Sequence, residues 1–200
     1  HHNKEDKSSY PLFGDAGTAT ALEYDINAKK SFFHFGTDGS GYDAIIINDG
    51  GYRNRVNLSS FDLIDYGDEG KRTNLDCYLN GMDVFAFGIN KAPKSIKKLC
   101  ENYSLNIENV DYFLLHQANR MMNEMIRKKI KASEEKVPYS LKSFGNTSCA
   151  TIPLTMVTEL QKELKTKKLN IIGCGFGVGL SWGSFYIETN NIICPNLIEI

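Results

Sequence analysis

Apolar positions recur at helical spacing in some stretches of the chain and form short solid runs in others. Over residues 83–100, Val84, Phe85, Ile89, Ile96 and Leu99 recur at helical spacing, which predicts a helix with one apolar stripe. Pro93 inside that stretch predicts a kink or a split. Residues 110–115 (VDYFLL) form a short apolar run of strand length. From 118 to 130, Met122, Met125, Ile126 and Ile130 line the inner side of a second amphipathic helix. Residues 137–141 read as another strand. Residues 148–164 read as a third helix, with Pro153 early enough to be tolerated. A buried strand over 169–174, a glycine-rich turn over 175–179 and a returning strand over 180–188 close the chain. This alternation predicts an α/β layer closed by a hairpin.

The first part of the chain is less regular. Residues 3–10 are polar and irregular. LFGDAGTATALEYD reads as a glycine turn followed by a strand of small and alternating residues. Residues 31–60 are rich in Gly, Asn and Asp, which predicts loops around a brief strand at 44–47. Residues 62–71 are acidic and expected at the surface. There is no internal repeat and no low-complexity segment. The chain divides into residues 3–30, 31–80 and 81–200.

Composition removes several function classes. Hydrophobic residues make up 42%, charged residues 24%, and the formal net charge is -1. A general nucleic-acid binder would be basic, so any charged partner must meet a local patch. The longest apolar stretches, such as residues 170–182, fall short of the ~20 residues of a membrane span. The polar start does not read as a signal peptide, and His1 and His2 read as the remnant of an affinity tag. The cysteines are Cys77, Cys100, Cys149, Cys174 and Cys194. An odd number without C-x-x-C spacing argues against a disulfide framework or a structural zinc site and fits a reducing cytoplasm. No metal is expected.

Three features point to chemistry. His116, in DYFLLHQAN, stands where an apolar strand ends and a helix begins, the edge at which α/β sheets hold their ligands. By position alone it serves equally well as a cap. Asn146, in SFGNTSCATIP, lies between Gly145 and the helix-capping pair Thr147 and Ser148, where a turn or cap role is the simpler reading. GCGFGVGLSWGS has neither a G-x-G-x-x-G register nor a phosphate-loop ending, and a strand follows it. It reads as a hairpin turn or a site where the main chain approaches a ligand closely.

Taken together and in this order, LFGDAG, GMDVFAF, HQAN, GNTS and GFGVGLSWGS resemble the ketoacyl-acyl-carrier-protein synthase III family of the thiolase superfamily, from about residue 4 to residue 188. The resemblance implies the C-terminal half of a thiolase-like fold, a mixed sheet packed with helices. Residues 3–30 would be the last strand of the N-terminal half, and 31–80 a loop-rich insertion bordering the active site. It implies decarboxylative Claisen condensation of an acyl primer with a malonyl thioester. His116 and Asn146 would be two neutral donors to the thioester oxygen, and a helix N-terminus would help keep the imidazole uncharged. The substrates are coenzyme A or phosphopantetheine thioesters, no cofactor is needed, and the intact enzyme is expected to be a cytoplasmic homodimer.

The resemblance also places the nucleophilic cysteine upstream of this chain, so the chain alone is expected to be inactive. Cys149 and Cys174 read as small buried thiols rather than substitutes. Gln117, Ala118, Asn119, Arg120 and Met121 would contact an acidic acyl-carrier protein. Arg127, Lys128, Lys129 and Lys131 would extend a basic strip along the same helix. Gly81, Phe85 and Asn119 would border the pantetheine arm, and Phe176, Gly177 and Val178 the oxyanion-hole turn. That turn departs from the family's frequent F-G-G-G at Val178, a β-branched residue that resists a positive φ. A non-catalytic partner subunit, or a thiolase or hydroxymethylglutaryl-synthase relative, is the alternative.

Overall fold

The structure is a computed structural model that describes residues 2–199; His1 and Ile200 lie outside the described residues. In chain order it forms β1 (Phe32–Thr37), β2 (Ile45–Ile47), β3 (Ile64–Asp65), β4 (Lys71–Arg72), β5 (Cys77–Leu79), α1 (Gly81–Tyr103), β6 (Tyr112–Leu115), α2 (Arg120–Ile130), α3 (Leu141–Phe144), α4 (Thr151–Glu159), α5 (Gln161–Thr166), β7 (Lys168–Gly177) and β8 (Ser181–Asn190). The central sheet runs β1-β8-β7-β6, with β6 and β7 parallel and the other pairs antiparallel.

Strand alternation explains the layering. Phe113 and Leu115 of β6, with Ile172, Cys174 and Phe176 of β7, face Ala92, Ile96 and Leu99 of α1 and Met122, Ile126 and Ile130 of α2. Leu114, Leu169 and Ile171 turn to the opposite face and meet Leu160, at the junction of α4 and α5, and Leu164 of α5. A strand covered on both faces has no polar side, which is why β6 reads as the solid run YFLL. The mixed, helix-packed sheet is the expected fold class.

Pro93 neither kinks α1 apart nor splits it: the helix runs through 23 residues. A proline leaves the carbonyl four residues earlier without its helical donor, and Lys129 of α2 supplies one, its Nζ lying 2.8 Å from the Ile89 carbonyl. Residues 137–141 form no strand. Val137 closes a 3-10 turn, Pro138 has no N–H for a ladder, and Leu141 opens α3. The predicted helix over 148–164 is broken at Leu160 into α4 and α5. Met125 points outward rather than into the core.

Residues 14–31 carry strand-like alternation yet form no strand, and residues 15–31 are exposed. No neighbouring strand among the described residues accepts their ladder hydrogen bonds. Among the described residues, no helix is long and apolar enough to cross a membrane.

Candidate active site at the ends of β6 and β7

The parallel pairing brings the carboxyl ends of β6 and β7 side by side, Leu115 opposite Cys174. The His116 amide continues the ladder, 2.9 Å from the Cys174 carbonyl. Phe176, two residues beyond Cys174, stands edge-on to the imidazole with ring centroids 5.5 Å apart. Phe87 of α1 abuts the same phenylalanine in turn. His116 is therefore set by sheet register and walled by an aromatic ring.

The wall has an electrostatic consequence. Burial disfavours the charged imidazolium and pulls His116 down from 6.5 to about 4. The nearby Ser148 carbonyl, which would accept from a protonated ring, opposes the shift only in part. The ring is neutral at neutral pH, and burial rather than a helix N-terminus is the leading cause.

Asn146 reaches the same place from the other side. Its amide donates to the Leu12 carbonyl and its carbonyl accepts from the Gly14 amide, at 2.9 and 3.0 Å. A side chain at Gly14 would collide with the Phe144 carbonyl. The LFGDAG segment thus clamps the loop that carries Asn146. Gly145 supplies the left-handed backbone (φ 63°) that re-aims the chain there. The Asn146 side-chain oxygen accepts from the Ser148 amide at 2.9 Å. That contact leaves both Nδ2 protons without a partner among the described residues. Thr151 links the two side chains: its Oγ1 lies 2.8 Å from His116 Nδ1 and donates to the Ser148 carbonyl oxygen at 3.0 Å. A path of short contacts therefore runs from imidazole to Thr151 to Ser148 to carboxamide. Sequence reasoning passed over Thr151 and read Ser148 only as a cap. The spacing from Asn146 was the one available signal.

Other expected site residues fall out differently. Asn119 caps α2, its side chain accepting from the Met122 amide at 2.8 Å. Ala118 is half-buried, while Arg120, Met121 and Lys128 are exposed. Gln117 is fully buried and donates to the Leu115 carbonyl, so it is withdrawn from any surface contact. Arg127 is buried as well. Its guanidinium binds Glu124, Glu134 and the Ala132 carbonyl, which removes it from the basic strip. Lys129 is engaged with Ile89. The exposed remainder of the strip is Arg120, Lys128 and Lys131, with Arg120 lying over the Tyr139 ring at 5.1 Å.

Gly81 and Phe85 sit on the first turns of α1, exposed and half-buried respectively. Gly177 ends β7 and Val178 is exposed in the following turn. The positive φ of that turn falls on Gly179 (134°), so valine is unstrained at 178. Cys174 is buried, and burial pushes its thiol up to about 12. Cys149 is exposed, against expectation, because its 3-10 turn directs the neighbouring Ala150 inward instead. Among the described residues no cluster of His, Cys, Asp and Glu could hold a metal ion.

The chain is similar in sequence and fold to known proteins. Residues 100–189 match the family described as 3-oxoacyl-[acyl-carrier-protein] synthase III C terminal. The beta-ketoacyl-[acyl-carrier-protein] synthase III of Prochlorococcus marinus (strain NATL2A) is 33% identical over 185 residues, which cover 90% of this chain and 52% of that protein. The enzyme of the same name from Streptococcus mutans is 32% identical and spans 92% of this chain and 54% of its own. A crystal structure of a 3-oxoacyl-(acyl-carrier-protein) synthase III superposes with a TM-score of 0.83 at 32% identity, covering 96% of this chain and 56% of the other. The chain spans about half the length of the curated relatives it matches. On sequence and on fold alike, the chain belongs to the ketoacyl-acyl-carrier-protein synthase III family of the thiolase superfamily, matching its C-terminal portion.

Proposed function

We propose that the protein to which this chain contributes performs decarboxylative Claisen condensation, joining an acyl-thioester primer to malonyl-acyl-carrier protein. His116 and Asn146 are the two donors to the malonyl thioester oxygen. Loss of carbon dioxide leaves an enolate whose charge gathers on that oxygen. Neutral donors held in place beforehand stabilise it without reorganising. The observation that carries this reading is the convergence of a neutral imidazole and a free carboxamide on one turn, through Thr151 and Ser148. The carbanion forms a C–C bond to the carbonyl carbon of an acyl-cysteine, the C–S bond breaks and the thiolate leaves; a further segment supplies that cysteine, since Cys174 is buried and Cys149 is an exposed thiol away from the β6–β7 strand ends. Phe176, Gly177 and Val178 border the acyl end, and Gly81, Phe85 and Asn119 the pantetheine arm. Arg120, with Lys128 and Lys131, meets the acidic carrier.

Two observations support an absent covering segment. The chain exposes 12509 Å², against roughly 9,500 Å² for a folded monomer of its mass. Large apolar side chains lie in that excess, among them Leu22, Tyr24, Phe35, Tyr52 and Leu58. The isolated chain is thus expected to lack activity, and the reaction belongs to fatty-acid or related biosynthesis.

The test is condensation by the intact enzyme with malonyl-carrier protein and a panel of acyl-coenzyme A primers. His116→Ala and Asn146→Ala should each lower kcat by about 100- to 1,000-fold. Full rates in both variants, or turnover by this chain alone, would refute the reading.

A further inference from the structure

The ladder between β6 and β7 ends at His116, whose N–H goes to the Cys174 carbonyl at 2.9 Å. Its own carbonyl takes donors from outside the sheet. One is the Ala118 amide at 2.9 Å, two residues along, which closes a tight three-residue turn. The other is the side chain of Asn123, whose Nδ2 donates at 3.1 Å from α2. A carbonyl oxygen has two lone pairs, and the two donors use both.

Asn123 is an unexpected residue at this position. It is 0% exposed and shares the inner face of α2 with Ile126 and Ile130. Its Oδ1 is buried without a hydrogen-bond partner among the described residues, and an unpaired buried acceptor is destabilising. Turning the carboxamide over would set Oδ1 against the His116 carbonyl oxygen and leave the donor unpaired as well. Leucine has the same branching and no polar atoms. It would serve the packing of this face, and the Ala118 amide would still serve the carbonyl. Core packing therefore does not account for Asn123, whereas the contact with His116 does.

We propose that Asn123 is a positioning residue for His116: its amide fixes the peptide between His116 and Gln117, and so fixes where the imidazole stands. The Cys174 contact fixes the peptide on the other side, and two fixed peptide planes leave His116 no free main-chain dihedral. The ring then turns only about its side-chain bonds, between the edge-on Phe176 at 5.5 Å and the Thr151 Oγ1 at 2.8 Å from Nδ1. Asn146 is anchored separately, by Leu12 and Gly14. Two groups on separate anchors meet one substrate oxygen only if neither anchor slips, and a displacement of about 1 Å can cost ~100-fold in rate. This deepens the condensing-enzyme reading and rests on it for the use made of the ring.

The experiment reads the contact and its effect apart. In spectra of this chain labelled with nitrogen-15 and carbon-13, the wild type should show a scalar coupling across the bond from Asn123 Nδ2 to the His116 carbonyl carbon. Its absence, where the main-chain couplings within α2 are visible, overturns the proposal whatever the variants do. Asn123→Leu should unfold in urea at or above the wild-type midpoint and should move the His116 ring resonances, assigned through His116→Gln. In the intact enzyme it should lower kcat about 10- to 100-fold, with KM for the carrier unchanged. A folded Leu variant with an unmoved ring and full kcat overturns the proposal. So does a Leu variant that fails to fold or unfolds at a lower midpoint, because the contact is then structural. Full activity in His116→Ala would defeat the condensing-enzyme reading and leave the hold of Asn123 on the ring standing. An essential His116 beside a fully active Asn123→Leu would defeat the positioning proposal alone.

Discussion

Acidification should weaken this protein through His116 before it weakens it through the carboxylates. Burial holds the folded imidazole at about 4, while the unfolded ring titrates near 6.5. As pH falls the unfolded chain takes up the proton first, so it binds more protons than the folded chain between these two values. Stability therefore rises with pH across that window. The contribution of the neutral ring is fully present above 6.5, shrinks as pH falls, and is exhausted near 4. At roughly 1.4 kcal/mol per pH unit, the interval is worth up to about 3 kcal/mol. That is a large share of the ~5–15 kcal/mol by which domains are stable.

The carboxylates act in a lower window. Hydrogen bonds from Arg127 and then Tyr139 hold Glu124 at about 2, against an ordinary 4.5. Its contribution is intact above 4.5 and is lost as pH falls toward 2. Urea unfolding between about pH 7 and about pH 4.5 therefore leaves out the Glu124 window, and comparison with His116→Gln separates His116 from His2, which burial also lowers. The wild type should lose up to about 3 kcal/mol over that range, and His116→Gln should lose measurably less. Parallel stability curves for the two proteins, or a His116 ring that titrates near 6.5 in the folded chain, would refute the reasoning.

Three further outcomes follow from the same contacts. Arg127→Ala leaves Glu124 with Tyr139 alone and removes the side-chain donor to the Ala132 carbonyl, and should cost about 2 kcal/mol of unfolding free energy in urea, leaving carrier KM unchanged once the enzyme is folded. Arg120→Glu should do the reverse in the intact enzyme, moving stability by less than about 1 kcal/mol while raising KM for the carrier. That rise should shrink with added salt, and a KM flat across salt would mark Arg120 as mere surface. At Gly88 an added Cβ would meet the Met122 sulfur at 2.6 Å and the Phe176 ring at 2.8 Å. Gly88→Ala should therefore destabilise α1 against α2 despite alanine's better helix propensity, and should move the His116 ring resonances through Phe176. A stabilised variant with an unmoved ring would contradict that packing.

The sequence made most of the fold legible wherever burial imposes a period. β6 announces itself because both faces are covered, and the stripe of α1 survives Pro93 because Lys129 donates to the carbonyl that proline leaves free. What failed were segments whose pattern refers to something other than an adjacent element. Residues 14–31 alternate as a strand does but have no ladder partner among the described residues. Val137 is buried by a turn rather than by a sheet. Arg127 lies on the same helical edge as Arg120, yet Glu124 and Glu134 draw it inward. Helical spacing says which residues share a face, but not which of them a neighbour has already claimed.

The site divides along the same line. His116 and Asn146 could be named because strand ends and glycine turns leave marks in sequence. Their relation could not be named, because it runs through one hydroxyl and one main-chain unit. Ser148 in a left-handed conformation looks like any other serine until its N–H is seen on Asn146 and its C=O beside Thr151. Such contacts have no periodicity and no composition, and so no signature in a single sequence. They nonetheless hold the imidazole and the carboxamide on one turn, and with that decide whether His116 and Asn146 can meet on one enolate oxygen at all.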